Sequence, residues 1–210
     1  MCAKASLPDA FRKGPASPRK RWPRRWGCRA HRPVREGIRL LVSDGFLVLR
    51  PNAGATVRVW SDPEVREIYA ARILVESELA ALAAERMDAR TLEELRQVED
   101  EMESRGPDVS DANLERISTL NRRFHALIYE AAGNARLLAM RAKAVELKVI
   151  LGTRRSYDRD RLARTFQHHR ELIDAFTARD PAWARAVMHC HLRSAQYALL
   201  EQPRAPQARD

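Results

Sequence analysis

The chain has 210 residues, 45% of them hydrophobic, and a formal net charge of +10. That length allows one sizeable core plus a small companion domain. Three cysteines with no C-x-x-C pair exclude a disulfide framework and a thiolate zinc finger, and no apolar run reaches the roughly 18–20 residues that span a bilayer, so a reducing cytoplasm is expected.

The charge is not evenly spread. Residues 1–35 carry eleven Lys/Arg against one acid, whereas residues 36–210 hold 27 of each sign. A basic head on a balanced body points to nucleic acid at the N-terminal end. Residues 1–30 are rich in Arg, Pro, Ala and Trp, with Pro8, Pro15, Pro18 and Pro23 breaking any helical period, and are expected to be disordered. Such a bias is also what out-of-frame translation of GC-rich DNA gives, so a shifted frame or displaced start is the expectation for this segment.

From Pro33 the pattern becomes helical through Leu41 and is closed by Asp44-Gly45. Phe46–Leu49 reads as a strand, Pro51–Gly54 as a turn and Ala55–Trp60 as the returning strand. A helix followed by a β-hairpin is the second half of a winged helix. Beyond Ser61 the chain reads as about six helices in an antiparallel bundle, with breaks at Asp88–Arg90, Gly106-Pro107, Gly133-Asn134, Gly152–Tyr157 and Arg179-Asp180. Ser61–Glu64 and Thr91–Glu94 have capping-box spacing, and Asp180-Pro181 opens the last helix. The expected partition is a basic segment at 1–30, a partial winged helix at 31–60, a mainly all-α domain at 61–202 and a tail at 203–210.

Histidines carry the chemistry of the helical part. Leu114, Ile117, Asn121, His125 and Ile128 share one stripe, which puts Asn121 and His125 on the core side together. His169 shares a stripe with Phe166, Ile173 and Phe176, while His168 is turned about 100° away. His191 aligns with Ala184, Val187 and Ala195, whereas His189 aligns with Arg185, Arg193 and Gln196 and is expected at the surface. A lone inward histidine is usually a core residue satisfied by a backbone carbonyl. Three of them, on three helices, point instead to a divalent metal site with positions left open. Periodicity does not establish that those helices are neighbours.

The segments Asn121-Arg122-Arg123-Phe124-His125, Ala131-Ala132-Gly133-Asn134, His169-Arg170-Glu171-Leu172-Ile173 and Met188-His189-Cys190-His191-Leu192 resemble the effector-binding FCD-type domain of the FadR subfamily of GntR transcriptional regulators. The resemblance runs over residues 64–201. It implies a homodimeric helical bundle that binds a divalent metal, with zinc expected and nickel or manganese as alternatives, through Asn121, His125, His169 and His191. Asn121 stands where many relatives have aspartate, which removes one negative charge from the ligand set. The resemblance further implies a small carboxylate effector, for which Arg72 is the candidate partner, although an ion pair with Glu76 is an equal reading.

Arg32–Leu41 and Pro51–Val57 resemble the recognition helix and wing of the same family, with Arg32 and Arg35 facing DNA and Gly54 at the wing tip. The two helices that precede them in the family have no counterpart in Met1–Ala30. The resulting expectation is a transcriptional regulator, not an enzyme. The alternatives are a metal- or ligand-binding dimer without specific DNA contact and, lacking an H-E-x-x-H or similar signature, a metal-dependent hydrolase.

Overall fold

The computed structural model describes residues 31–43, 47–50, 54–58, 60–106, 108–144 and 158–201. These fall into two compact units, 1–58 and 59–210. The expected basic segment 1–30 and the tail 203–210 lie outside the described residues, as do Asp44–Phe46, Pro51–Ala53 and the expected break at Gly152–Tyr157.

The first unit contains α1 (His31–Ser43), β1 (Leu47–Arg50) and β2 (Gly54–Val57). The strands pair antiparallel, from Leu47 opposite Val57 to Arg50 opposite Gly54. Gly54 has φ +76°, a left-handed conformation that costs an L side chain and that glycine enters freely. Several boundaries differ from the sequence reading: α1 runs on to Ser43, β1 extends to Arg50, and β2 takes in Gly54, which the sequence pattern places in the turn. α1 starts at His31, placing Pro33 in the first turn, where a missing N–H loses no helical bond. The second strand stops at Val57 instead of reaching Trp60, and the Trp60 side chain packs on Val65 and Tyr69 of the second unit.

That second unit is built from α2 (Asp62–Arg86), α3 (Ala89–Ser104), α4 (Asp111–Ala132), α5 (Ala135–Ala144), α6 (Arg159–Thr177) and α7 (Pro181–Leu200). α2 is the axis of the bundle, contacting α4, α5, α6 and α7. Its alanine-rich sequence buries residues on nearly every side, from Val65 and Tyr69 through Ile73, Val75, Leu79 and Ala80, so it has no polar face of ordinary width. Phe124, Ile128, Leu95, Met102, Leu172, Met188 and Leu192 complete the fully buried centre. No helix among the described residues is long and apolar enough to cross a membrane.

The caps explain where the helices begin. Ser61 Oγ accepts from the Glu64 N–H at 3.4 Å while the Ser61 N–H donates to Glu64 Oε2 at 2.8 Å, the reciprocal pair expected at the start of α2. α3 begins earlier than its Thr91 capping box suggests. Asp88 is the cap, and its Oδ1 accepts from the Thr91 N–H at 2.7 Å. A carboxylate is the stronger acceptor for an orphan amide, so Thr91 serves as the donor and not as the cap. Asp158 caps α6 through the Arg161 N–H, and Asp180 caps α7 through the N–H groups of Ala182 and Trp183.

Gly133 closes α4 with φ +59°. Between α6 and α7 the N–H of Asp180 donates to Ala175 O at 3.0 Å and that of Arg179 to Phe176 O at 3.2 Å, a Schellman closure. Arg179 occupies its left-handed position at φ +53°, where glycine is usual, and its Nη1 donates to Glu85 O at 3.0 Å.

Candidate metal centre

Three helices deliver three imidazoles to one point. His125 on α4, His169 on α6 and His191 on α7 are all buried, and one ligand atom from each lies within 4.8 Å of the others. Ring centroids are 5.0 Å apart for His125–His191 and for His169–His191, and 5.5 Å for His125–His169. The helical phase that separated the neighbouring histidines is visible here. His189 is exposed, and His168 is half-buried with its ring 5.9 Å from that of His191.

Burial decides the protonation of the triad. For His169 it combines with the neighbouring His168 to push the ring down to about 3. His125 is held well below its usual range by burial, then by His191 and His169, then by Arg72 and Arg141. Burial lowers His191 likewise, reinforced by His169 and His168. Neutral imidazole is the form with a lone pair to give. The cluster is therefore set for coordination and not for charge.

Orphaned atoms supply the fit test for a cation. His169 Nε2, His191 Nδ1 and Asn121 Oδ1 are buried without a hydrogen-bond partner. An unmet buried polar atom costs on the order of 1–3 kcal/mol. Two nitrogens and a carbonyl oxygen of that kind, contributed by α4, α6 and α7, are a donor set suited to a divalent ion. Ligands on a tetrahedral zinc lie about 3.4 Å from one another, so the triad is slightly wider than a closed shell.

Two of the rings are braced from outside. Tyr129 contacts Glu76 Oε2 through a very short hydrogen bond in which the phenol donates, and its oxygen lies 3.2 Å from His125 Nδ1. With its own proton committed to Glu76, the phenol can only accept from His125. The proton of His125 therefore sits on Nδ1 and Nε2 keeps its lone pair. Glu76 also takes Arg72 Nε at 2.7 Å, with Arg141 Nε at 3.9 Å. Burial alone would raise Glu76, but Arg72, Arg141 and the Tyr129 hydrogen bond together hold it below the usual carboxylate range. His169 is braced by Glu99 on α3, whose Oε2 lies 2.7 Å from Nδ1. Burial, reinforced by the Glu103 carboxyl, pushes Glu99 up to about 8, so this contact joins two neutral groups at pH 7.

Each expected site residue has a definite place. His125, His169 and His191 meet, and Asn121 lies one turn before His125 with its oxygen buried. Arg72 is 8% exposed and engaged with Glu76, as the ion-pair reading anticipated. Arg35 is exposed on α1, Arg32 falls in its first turn, and Gly54 opens β2. Residue patterns alone missed Glu99, Tyr129 and Arg141. Arg141 lies over the Tyr129 ring at 4.1 Å, and its Nε is buried without a hydrogen bond. A signal for Glu99 existed, since Leu92, Leu95, Glu99 and Met102 form one stripe in which a single carboxylate interrupts apolar residues.

The FCD domain model matches residues 67–194, the stretch that contains the whole histidine cluster. The chain belongs to the FCD domain family. Its fold agrees with that assignment. Escherichia coli McbR/YncC superposes with a TM-score of 0.70 at 23% identity, covering 83% of this chain and 86% of that one. A GntR protein of a Rhodococcus species gives 0.62 at 21% identity, covering 82% and 81%. A GntR-family transcriptional regulator of Pseudomonas syringae pv. tomato gives 0.52 at 23% identity, covering 80% and 68%. No curated protein matches the chain by sequence. Family and fold together make this an FCD-domain protein, an all-α bundle preceded in sequence by one helix and a two-stranded hairpin.

Proposed function

We propose that this FCD protein is a cytoplasmic, homodimeric transcriptional regulator whose bundle senses a small organic acid through a divalent metal held by Asn121, His125, His169 and His191. The observation that carries this reading is the buried triad with its unsatisfied nitrogens. When bound, the ion supplies positive charge and open coordination positions for a carboxylate, zinc being the first choice for three imidazoles.

The chain's own residues add the rest. Arg72 and Arg141 place two guanidinium groups beside the triad, and the Nε of Arg141, 3.9 Å from Glu76 and without a hydrogen bond, offers an anion a donor. Effector binding then shifts the balance between two arrangements of the dimer's heads by its difference in affinity for them. On α1, Arg32 and Arg35 approach DNA, with Gly54 at the wing.

Calorimetry of demetallated and zinc-loaded protein with a panel of small carboxylates tests the sensing role. Zinc-dependent binding of one acid class is expected, and its loss in the combined His125→Ala, His169→Ala, His191→Ala variant. Equal binding by that variant refutes the site. A second reading, a metal- and ligand-binding dimer without specific DNA contact, is favoured by one observation: Val34 and Leu40 on α1 are 61% and 62% exposed, a state unlike that of a helix seated in a winged-helix core. A salt-dependent mobility shift on the protein's own upstream DNA against unrelated DNA separates the two.

A further inference from the structure

Among the described residues Glu99 is the carboxylate within hydrogen-bond distance of the triad, and the direct ligand set does not explain it. Its side chain is wholly buried on the stripe of α3 otherwise occupied by Leu92, Leu95 and Met102. Oε2 meets His169 Nδ1 at 2.7 Å, and Oε1 has no hydrogen-bond partner. Arg170, whose charge acts on Glu99, makes its hydrogen bonds elsewhere, to Glu103 at 2.7–2.8 Å and to Asp100 at 2.6 Å. A carboxyl in such a place, half satisfied and without a cationic partner, is poor at holding a fold together. Leucine would serve the core better.

Its geometry toward His169 is that of a brace. Phe124 stacks on the imidazole with centroids 4.1 Å apart and an interplanar angle of 18°, fixing the plane of the ring. Glu99 fixes its rotation within that plane, which aims Nε2, buried and unbonded, at the other two histidines. When Nε2 gives its lone pair to a cation, the ring proton must sit on Nδ1, which then donates to Glu99 Oε2.

We propose that Glu99 is a positioning residue for a divalent cation, holding His169, from one hydrogen bond away, in its ligating tautomer and orientation. This rests on the metal reading above and adds to it a determinant on a fourth helix.

The test uses the full-length protein, stripped of metal and titrated with Zn²⁺ against a chelator and with Co²⁺ followed by its visible absorption. Wild type, Glu99→Leu, Glu99→Gln and His125→Ala are compared, with thermal unfolding of each metal-free form. Glu99→Leu is expected to melt, without metal, at or above the wild-type temperature, yet to bind Zn²⁺ about 10–100-fold more weakly and to change the Co²⁺ spectrum. Glu99→Gln, which keeps an acceptor oxygen for His169 Nδ1, is expected to bind Zn²⁺ more nearly as the wild type does. Wild-type affinity and an unchanged Co²⁺ spectrum in Glu99→Leu, beside a defective His125→Ala, overturn this proposal and leave the metal site standing. A Glu99→Leu that loses Zn²⁺ affinity only in step with a destabilised metal-free fold, with Glu99→Gln binding no better, assigns Glu99 a structural role and also overturns it. Failure of the wild type to bind either ion overturns the metal reading itself.

Discussion

Glu76 and Glu99 are equally buried, both at 0% exposure, and they end in opposite states of ionisation. Glu76 faces Arg72, Arg141 and the Tyr129 hydroxyl and is held below the usual carboxylate range despite its burial. Glu99 faces a neutral imidazole and is pushed up to about 8. Partner charge, and not depth, decides whether a carboxyl inside this bundle is an ion. The difference assigns them different work: the first balances charge within the core, and the second addresses one ring of the triad.

The largest expected effect breaks the Glu76 side of this comparison. Glu76→Ala leaves Arg72 buried and uncompensated, which should cost about 3–5 kcal/mol in chemical denaturation. The double change Arg72→Met with Glu76→Leu should recover most of it, since the cost lies in the unpaired charge and not in the missing pair. A Glu76→Ala protein of wild-type stability would show that Arg72 reaches solvent or another anion.

Next in size is the pH response of the metal-free protein, where the two carboxyls separate again. Glu99 has a folded value of about 8, above its ordinary 4.5, so its contribution is complete below pH 4.5 and is lost as pH rises through 8. Wild type should therefore lose stability between pH 6.5 and 8 at up to about 1.4 kcal/mol per pH unit, and Glu99→Gln should lack that alkaline slope. On the acid side His169, lowered from 6.5 to about 3, contributes fully above pH 6.5 and less as pH falls toward 3. Denaturant midpoints across pH 4–8 read both limbs, and parallel wild-type and Glu99→Gln curves would contradict the alkaline assignment.

The smallest expected effect concerns the phenol that links Glu76 to His125. Tyr129→Phe removes one donor to Glu76 and the acceptor for His125 Nδ1, and should cost about 1 kcal/mol while weakening zinc binding less than Glu99→Leu does. Identical zinc affinity would mean that His125 needs no brace.

The histidines were legible because a period of 3.6 residues leaves little freedom in which of two neighbours faces inward. His169 and His168 differ by one position and end with one wholly buried and the other partly exposed. The Arg72–Glu76 pair was legible as well, being spaced four apart on a single helix. Glu99 was not, because its partner is contributed by α6 and sequence carries no direct record of which helices touch. A glutamate also reads by default as solvated. The early start of α3 has another cause: Asp88 and Thr91 can both cap, and the competition is settled by acceptor strength. The strand expected through Trp60 ends at Val57, and Trp60 belongs instead to the packing on Val65 and Tyr69, which an alternation of apolar residues does not reveal.

The closure between α6 and α7 has a consequence for how such a site can vary. His169 and His191 lie on the two arms joined by Ala178, Arg179 and Asp180, and the hydrogen bonds of that turn fix the number of residues in it. Each residue added or removed there would turn α7 by about 100° relative to α6, or force the turn to bulge. Substitutions in the connection are therefore tolerable in a way that insertions are not, and its length constrains the triad more tightly than its composition does.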